Sequence, residues 1–136
     1  MSTTSSENGP PRPPLPVRAR LQHVTVVIPP EGAEEARAFY GDVLGLEEGE
    51  VLPALDPQGF IWYRVGEELE LHLMLADEPP PERPHFCLEL DELDALQHRL
   101  EQASVATHVG TRIVGRRRFT CRDPFGNLIE FMTREI

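Results

Sequence analysis

Apolar and polar positions alternate along the chain in two styles, and their order predicts a repeated set of elements. Leu21 to Ile28 alternates at period two and is rich in β-branched residues, which predicts a strand with His23, Thr25 and Val27 on one face. Pro29-Pro30 ends it. Glu31 to Leu44 switches to helical spacing, with Ala36, Phe39, Tyr40 and Val43 in one stripe and acids in the first turn. Gly45 suits the left-handed position that closes a helix, and Leu46 the apolar contact after it. A less regular stretch leads to Gly59. Phe60 to Val65 and Leu69 to Leu75 then predict a hairpin about Gly66-Glu67-Glu68. In its second strand the four leucines share the core face, and Glu70, His72 and Met74 share the other.

After a proline-rich linker at 78–84 the order begins again. His85 to Leu90 predicts a strand with His85, Cys87 and Glu89 on one face. Asp91 and Asp94 resemble a capping box, and the helix they open runs to about Gln102. Leu93, Leu96, Leu100 and Ala103 form its buried side, and His98 falls on the solvated side. Residues 104–115 are a strand and turn region. Arg118 to Met132 closes the chain with two strands joined at Asp123-Pro-Phe-Gly-Asn127, where Pro fixes φ and Gly126-Asn127 tolerate positive φ. The result is strand–helix–strands twice over, which predicts two half-length modules in one domain. Module one covers about 20–77 and module two 85–136, behind a Ser/Pro-rich tail at 1–19 that is disordered by composition.

Composition narrows the partners. The chain has 136 residues, enough for one domain with a core, and a formal net charge of −10. A phosphate-backbone binder normally carries the opposite sign, so nucleic acid is not an expected partner. All 13 basic residues are Arg, which excludes Schiff-base and lysine-base chemistry. Two cysteines, Cys87 and Cys121, form no CxxC motif, and Cys87 is expected to be a small buried wall residue. No apolar run has the length of a membrane span and the start of the chain has no signal-peptide core, so the expected home is the cytoplasm.

Four polar residues interrupt the strands at matched places. His23 and His85 lie near the start of each module's first strand, and His72 and Glu130 lie in each module's last strand. His23 and His72 are 49 positions apart, and His85 and Glu130 are 45 apart. A pseudo-twofold relation between the modules brings four such positions together. Three imidazoles and a carboxylate suit Zn, Ni, Mn or Fe(II), and Glu70 shares the face of His72 two residues away. The run Arg116-Arg117-Arg118 fits a solvated edge strand, with one arginine available to hold a substrate carboxylate. Trp62 and Phe60 are expected in the core, and His108 on the surface.

Leu21-Gln-His-Val, Ala38-Phe-Tyr-Gly-Asp-Val-Leu-Gly-Leu46, His85-Phe-Cys-Leu-Glu-Leu-Asp-Glu-Leu93 and Asp123-Pro-Phe-Gly-Asn-Leu-Ile-Glu130 resemble the vicinal oxygen chelate superfamily. That group includes glyoxalase I, bleomycin and fosfomycin resistance proteins, methylmalonyl-CoA epimerase and extradiol dioxygenases. The resemblance covers about residues 21–134 and implies an α+β fold of paired βαβββ modules, whose curled mixed sheet surrounds a central cavity. It implies a divalent metal at His23, His72, His85 and Glu130 that chelates neighbouring substrate oxygens, and a homodimer. The expected function is a glyoxalase-like lyase or isomerase on a small oxygen-rich molecule, with Glu130 moving the proton. The alternatives are a non-haem Fe(II) ring-cleaving dioxygenase and a non-catalytic drug-binding protein. The chain departs from glyoxalase I, which has a carboxylate where His72 stands.

Overall fold

Two four-stranded mixed sheets, each built by one module, share a single apolar core in the computed structural model. The structure describes residues 21–55 and 58–134 together with Gly9, so the tail expected at 1–19 lies, apart from Gly9, outside the described residues. Module one contains β1 (His23–Ile28), α1 (Ala33–Ala36) continuing as a π-helical segment (Arg37–Val43), β2 (Glu47–Gly49), β3 (Phe60–Val65) and β4 (Leu69–Leu75). Module two contains β5 (His85–Glu89), α2 (Leu93–Gln102), β6 (Thr107–His108), β7 (Arg116–Arg122) and β8 (Leu128–Arg134). The strand orders are β1-β4-β3-β2 and β5-β8-β7-β6, the same order twice, and neither sheet closes into a barrel. In each sheet the first and last strands of the module run parallel, and the remaining pairs are antiparallel.

The period-two pattern sets which face is buried. Ile61, Tyr63, Leu71 and Leu73 from one sheet and Phe119, Cys121, Ile129 and Phe131 from the other enter the shared core. Phe39 and Tyr40 from the first helix and Leu93, Leu96 and Leu100 from α2 complete it. The opposite faces carry the histidines.

Several local expectations change. The first helix starts at Ala33 and is α-helical only to Ala36; beyond that the wider winding closes bonds such as Leu44 N–H to Phe39 O at 2.9 Å. Gly41 lies inside this segment, where an added Cβ would stand 3.6 Å from the Tyr63 hydroxyl oxygen, so the missing side chain admits β3 closely. Gly45 takes φ +77° and Leu46 N–H reaches back to Tyr40 O, which ends the helix as expected. The capping box does not form. Glu92 flanks α2, no side chain caps it, and Asp94 turns instead to Arg117. Ala103 is exposed just beyond that helix. The short edge strand β6 falls in the expected strand and turn region at 104–115, whereas β2 occupies a stretch whose apolar pattern is too sparse to mark it.

The Asp123–Asn127 turn joins the modules. Gly126 takes φ +97°, whereas Asn127 does not have positive φ and serves through its side chain. Asp123 is buried, at 4% exposure. Its Oδ1 accepts the backbone N–H groups of Phe125 and Asn127 at 2.9 and 2.8 Å. Its Oδ2 accepts the Tyr40 hydroxyl at 2.7 Å and Asn127 Nδ2 at 2.9 Å. Asn127 Nδ2 also reaches Val27 O at 2.9 Å, so β1 and the first helix are tied to the module-two turn.

Candidate metal centre

Strand register makes His72 and Glu130 equivalent. In the parallel pair β1–β4, His72 stands beside Thr25, two residues after His23. In the parallel pair β5–β8, Glu130 stands beside Cys87, two residues after His85. Each module therefore presents one histidine from its first strand and one donor from its last, on the face turned away from the core. Glu70 lies beside His23 itself, and its counterpart in module two is Leu128.

The module-one half is a stack of rings. His72 lies between Trp62, at 4.0 Å between centroids, and His23, at 4.4 Å, with planes within 12° of parallel. Trp62 belongs to this face and not, as expected, to the core cluster. Trp62 pairs across the sheet with His72, while its neighbours Ile61 and Tyr63 enter the core. Glu70 Oε1 is 2.9 Å from His72 Nε2, and this hydrogen bond lowers the Glu70 pKa. A metal lies in the plane of each imidazole it binds, about 2.0–2.1 Å from the nitrogen. Near-parallel stacked planes share no such point, so His23 and His72 do not converge in this arrangement.

The module-two half is convergent. His85 Nδ1–H donates to Arg83 O at 3.0 Å, which turns Nε2 toward Glu130 Oε1 at 3.2 Å. Both ring nitrogens thus face acceptors. A backbone carbonyl on Nδ1 leaves Nε2 as the ligand nitrogen, the usual orientation of a metal-binding histidine. With bonds of about 2.1 Å, two cis ligands on one metal lie about 3.0–3.4 Å apart, and the His85–Glu130 spacing of 3.2 Å falls in that range. The spacing of this one pair is compatible with two ligands on a shared divalent cation. Within one chain, no group of three or more His, Cys, Asp or Glu among the described residues is arranged to hold one.

Arg118 completes this half and corrects the solvated-edge expectation. Its guanidinium reaches Glu130 Oε2 at 3.3 Å and Thr111 O at 2.8 Å. Gly110 makes room for it: an added Cβ there would lie 3.1 Å from Arg118 Nη2. Arg117, one position earlier, points the other way to Asp94. Cys87 is exposed rather than buried, and desolvation, followed by the Glu130 charge, pushes its thiol up to about 11, out of nucleophile range at neutral pH. His98 and His108 are exposed, as expected, although the register places His108 beside Thr120, which in turn stands beside Glu130. No helix among the described residues is long and apolar enough to cross a membrane.

Solved structures share this architecture. A protein assigned to the glyoxalase family from Bacillus anthracis is 31% identical, with a TM-score of 0.81 over 88% of this chain and 98% of that one. Lactoylglutathione lyase from Agrobacterium tumefaciens is 26% identical, with a TM-score of 0.65 over 88% of this chain and 96% of that one. TnmS3, an antibiotic binding protein from Streptomyces sp. CB03234, is 22% identical, with a TM-score of 0.69 over 87% and 98%. No curated protein matches the sequence. The family model described as Glyoxalase/Bleomycin resistance protein/Dioxygenase superfamily matches residues 20–131, and with the doubled βαβββ fold this shows that the chain belongs to that superfamily.

Proposed function

We propose that the protein is a metal-dependent lyase or isomerase acting on a small oxygen-rich molecule, with His23, His72, His85 and Glu130 as the metal-holding residues. The observation that carries this reading is the His85–Glu130 pair, in which Nε2 and Oε1 lie 3.2 Å apart with Nδ1 held by Arg83 O. A divalent cation there supplies Lewis-acid polarisation of a substrate oxygen. Glu130 is the group that moves the proton, and Arg118 orients it by holding Oε2 while Oε1 faces His85. Trp62 gives the opposite half an apolar wall.

Both halves sit on open faces, with His23 and His85 exposed. In the proposed homodimer the His23–His72 half of one copy meets the His85–Glu130 half of another, and the His23–His72 stack opens as both rings turn to one ion. The test is elemental mass spectrometry of the purified protein, native and after reconstitution, for the parent, His85→Ala and Glu130→Ala. Near-stoichiometric nickel, zinc or manganese that falls away in both variants supports the reading. Absence of binding by the folded parent after reconstitution refutes it. Mixing His23→Ala copies with Glu130→Ala copies restores one intact site per dimer only if sites form between chains. Iron with substrate-dependent oxygen uptake would make the protein a dioxygenase instead.

A second reading, a binding protein for a planar drug-like molecule, draws on the Trp62–His72–His23 stack, whose Trp62 Nε1 is buried without a partner. Tight binding of aromatic ligands by metal-free protein, with no turnover of oxygen-rich substrates by the loaded form, would favour it.

A further inference from the structure

The outer edge of β7 is largely unpaired. β6 is two residues long and pairs only with Thr120 and Cys121, so from Arg116 to Phe119 no strand lies alongside. The 109–115 segment meets β7 there through the Ile113–Arg116 bridge and the Arg118 hydrogen bond to Thr111 O at 2.8 Å. Between this segment, the β7 edge and Leu93 and Gln97 of α2 lies a cleft of about 370 Å³. A volume of that order is the size of a small-molecule site.

The chemistry of this cleft differs from the rest of the surface. The protein carries a net charge of −10, yet Arg112, Arg116, Arg117 and Arg118 all line the cleft. Arg117 and Arg118 are engaged with Asp94 and Glu130. Arg112 and Arg116 are exposed and carry no side-chain hydrogen bond or ion pair among the described residues. Beside them Val109 and Ile113 expose 78% and 42% of their surface, although large exposed apolar residues are few in this protein. Two unengaged guanidiniums beside apolar surface in a concavity match one kind of ligand: an anionic head on an apolar body.

We infer that the β6–β7 cleft is a binding site for an amphiphilic organic anion, with a carboxylate or phosphate head held by Arg112 and Arg116 and an apolar body against Val109, Ile113 and Leu93. The site needs no metal, and Arg118 links it to the His85–Glu130 pair. Free phosphate satisfies the arginines but not the apolar wall. A neutral alcohol satisfies the wall but not the arginines. Both therefore bind more weakly than the amphiphile.

The test uses the full chain, metal-free and metal-loaded, with octanoate, octyl phosphate, octanol and inorganic phosphate as probes. Binding is followed by amide chemical shifts in NMR and by calorimetry. Expected is saturable binding of octanoate, octyl phosphate or both, with shifts confined to Leu93, Gln97 and 109–119, and the stronger of the two identifies the head group. Arg112→Ala with Arg116→Ala, both at exposed positions, weakens that binding by at least about tenfold. Arg64→Ala, an exposed arginine on the other module, leaves it unchanged. Equal binding of octanol, shifts scattered over all arginines, or unchanged affinity in the double variant overturns the inference. So does binding of an acidic peptide along the β7 edge with none of either amphiphile. Because the metal-free protein is included, failure here leaves the metal centre standing, and failure of the metal centre leaves this site standing.

Discussion

The Tyr40 hydroxyl donates a 2.7 Å hydrogen bond to Asp123 Oδ2, 83 positions later in the chain, and so fastens the first helix to the last turn. Tyr40→Phe leaves Asp123 Oδ2 with Asn127 alone and is expected to cost about 1–2 kcal/mol in urea unfolding. Asp123→Ala strips an acceptor from two backbone N–H groups as well and is expected to cost about 3–4 kcal/mol. Tyr63 is the contrast. Its hydroxyl is buried without a partner, so Tyr63→Phe should leave stability unchanged or raise it. Burial, then the Asp123 charge, raises the Tyr40 pKa well above 10. A phenol with a raised folded pKa adds stability that is complete below about 10, the unfolded value, and declines as pH rises beyond it. The stability gap between the parent and Tyr40→Phe should therefore narrow above about pH 10. A gap that stays constant to pH 11.5 by circular dichroism, or about that, would contradict the assignment.

Gly126 and Gly66 both take positive φ, at +97° and +65°, but only one is crowded. A Cβ on Gly126 would meet Pro80 Cγ at 2.9 Å, whereas nothing lies within 4 Å of one on Gly66. Gly66→Ala pays only the left-handed backbone cost, about 1 kcal/mol. Gly126→Ala adds a clash with the linker between the modules and should cost about 2–3 kcal/mol, because Pro80 has no flexible end to move aside. Thermal unfolding of the two variants side by side decides this; equal losses would mean that the linker yields.

How far the sequence carried is visible at single residues. Leu71 and Leu73 announced their face through period-two alternation, and the strand–helix–strands order repeated after the proline-rich linker revealed the doubled module. Asp123 was legible as a turn residue because Pro124 and Gly126 flank it. Its burial was not, because the partner that makes burial tolerable is Tyr40, which alternation and helical spacing mark only as one more apolar-face residue. Arg118 was hidden for a similar reason. Its role depends on β6 being too short to pair the β7 edge and on Glu130 standing across the sheet, and neither is a local property. Asp94 shows local chemistry losing to tertiary chemistry: the spacing for a capping box is present, but Arg117 across the module takes the carboxylate.

On the proposed metal reading, Arg118 matters through Glu130 and Arg117 does not. Arg118→Ala frees Glu130 Oε2, and loss of such a supporting contact lowers metal affinity by about 10- to 100-fold. Arg117→Ala removes a pair with an exposed Asp94 and no contact to Glu130 that the structure shows, and should leave metal affinity within about twofold of the parent. Calorimetric titration of nickel into each variant separates the two. Equal effects would show that the arginines act through overall charge and not through the Glu130 contact.

Trp62 is the single tryptophan of the chain, and it lies 4.0 Å from the His72 ring. That makes the module-one half observable by itself. His23 and His72 cannot meet one ion while stacked within 12° of parallel, so metal binding through His72 must turn its ring and change the surroundings of the indole. Titration of nickel or zinc should therefore shift or change the intensity of tryptophan emission, saturating at the same concentration as binding measured by calorimetry. His72→Ala should abolish the optical change. Glu130→Ala, on the other module, should weaken both signals together if, as proposed, the two halves complete one site. If metal binds with full stoichiometry while the emission stays constant, His72 is not a ligand. The ion would then be held by His23, His85 and Glu130, with His72 left as a ring in the wall beside Trp62 and Glu70.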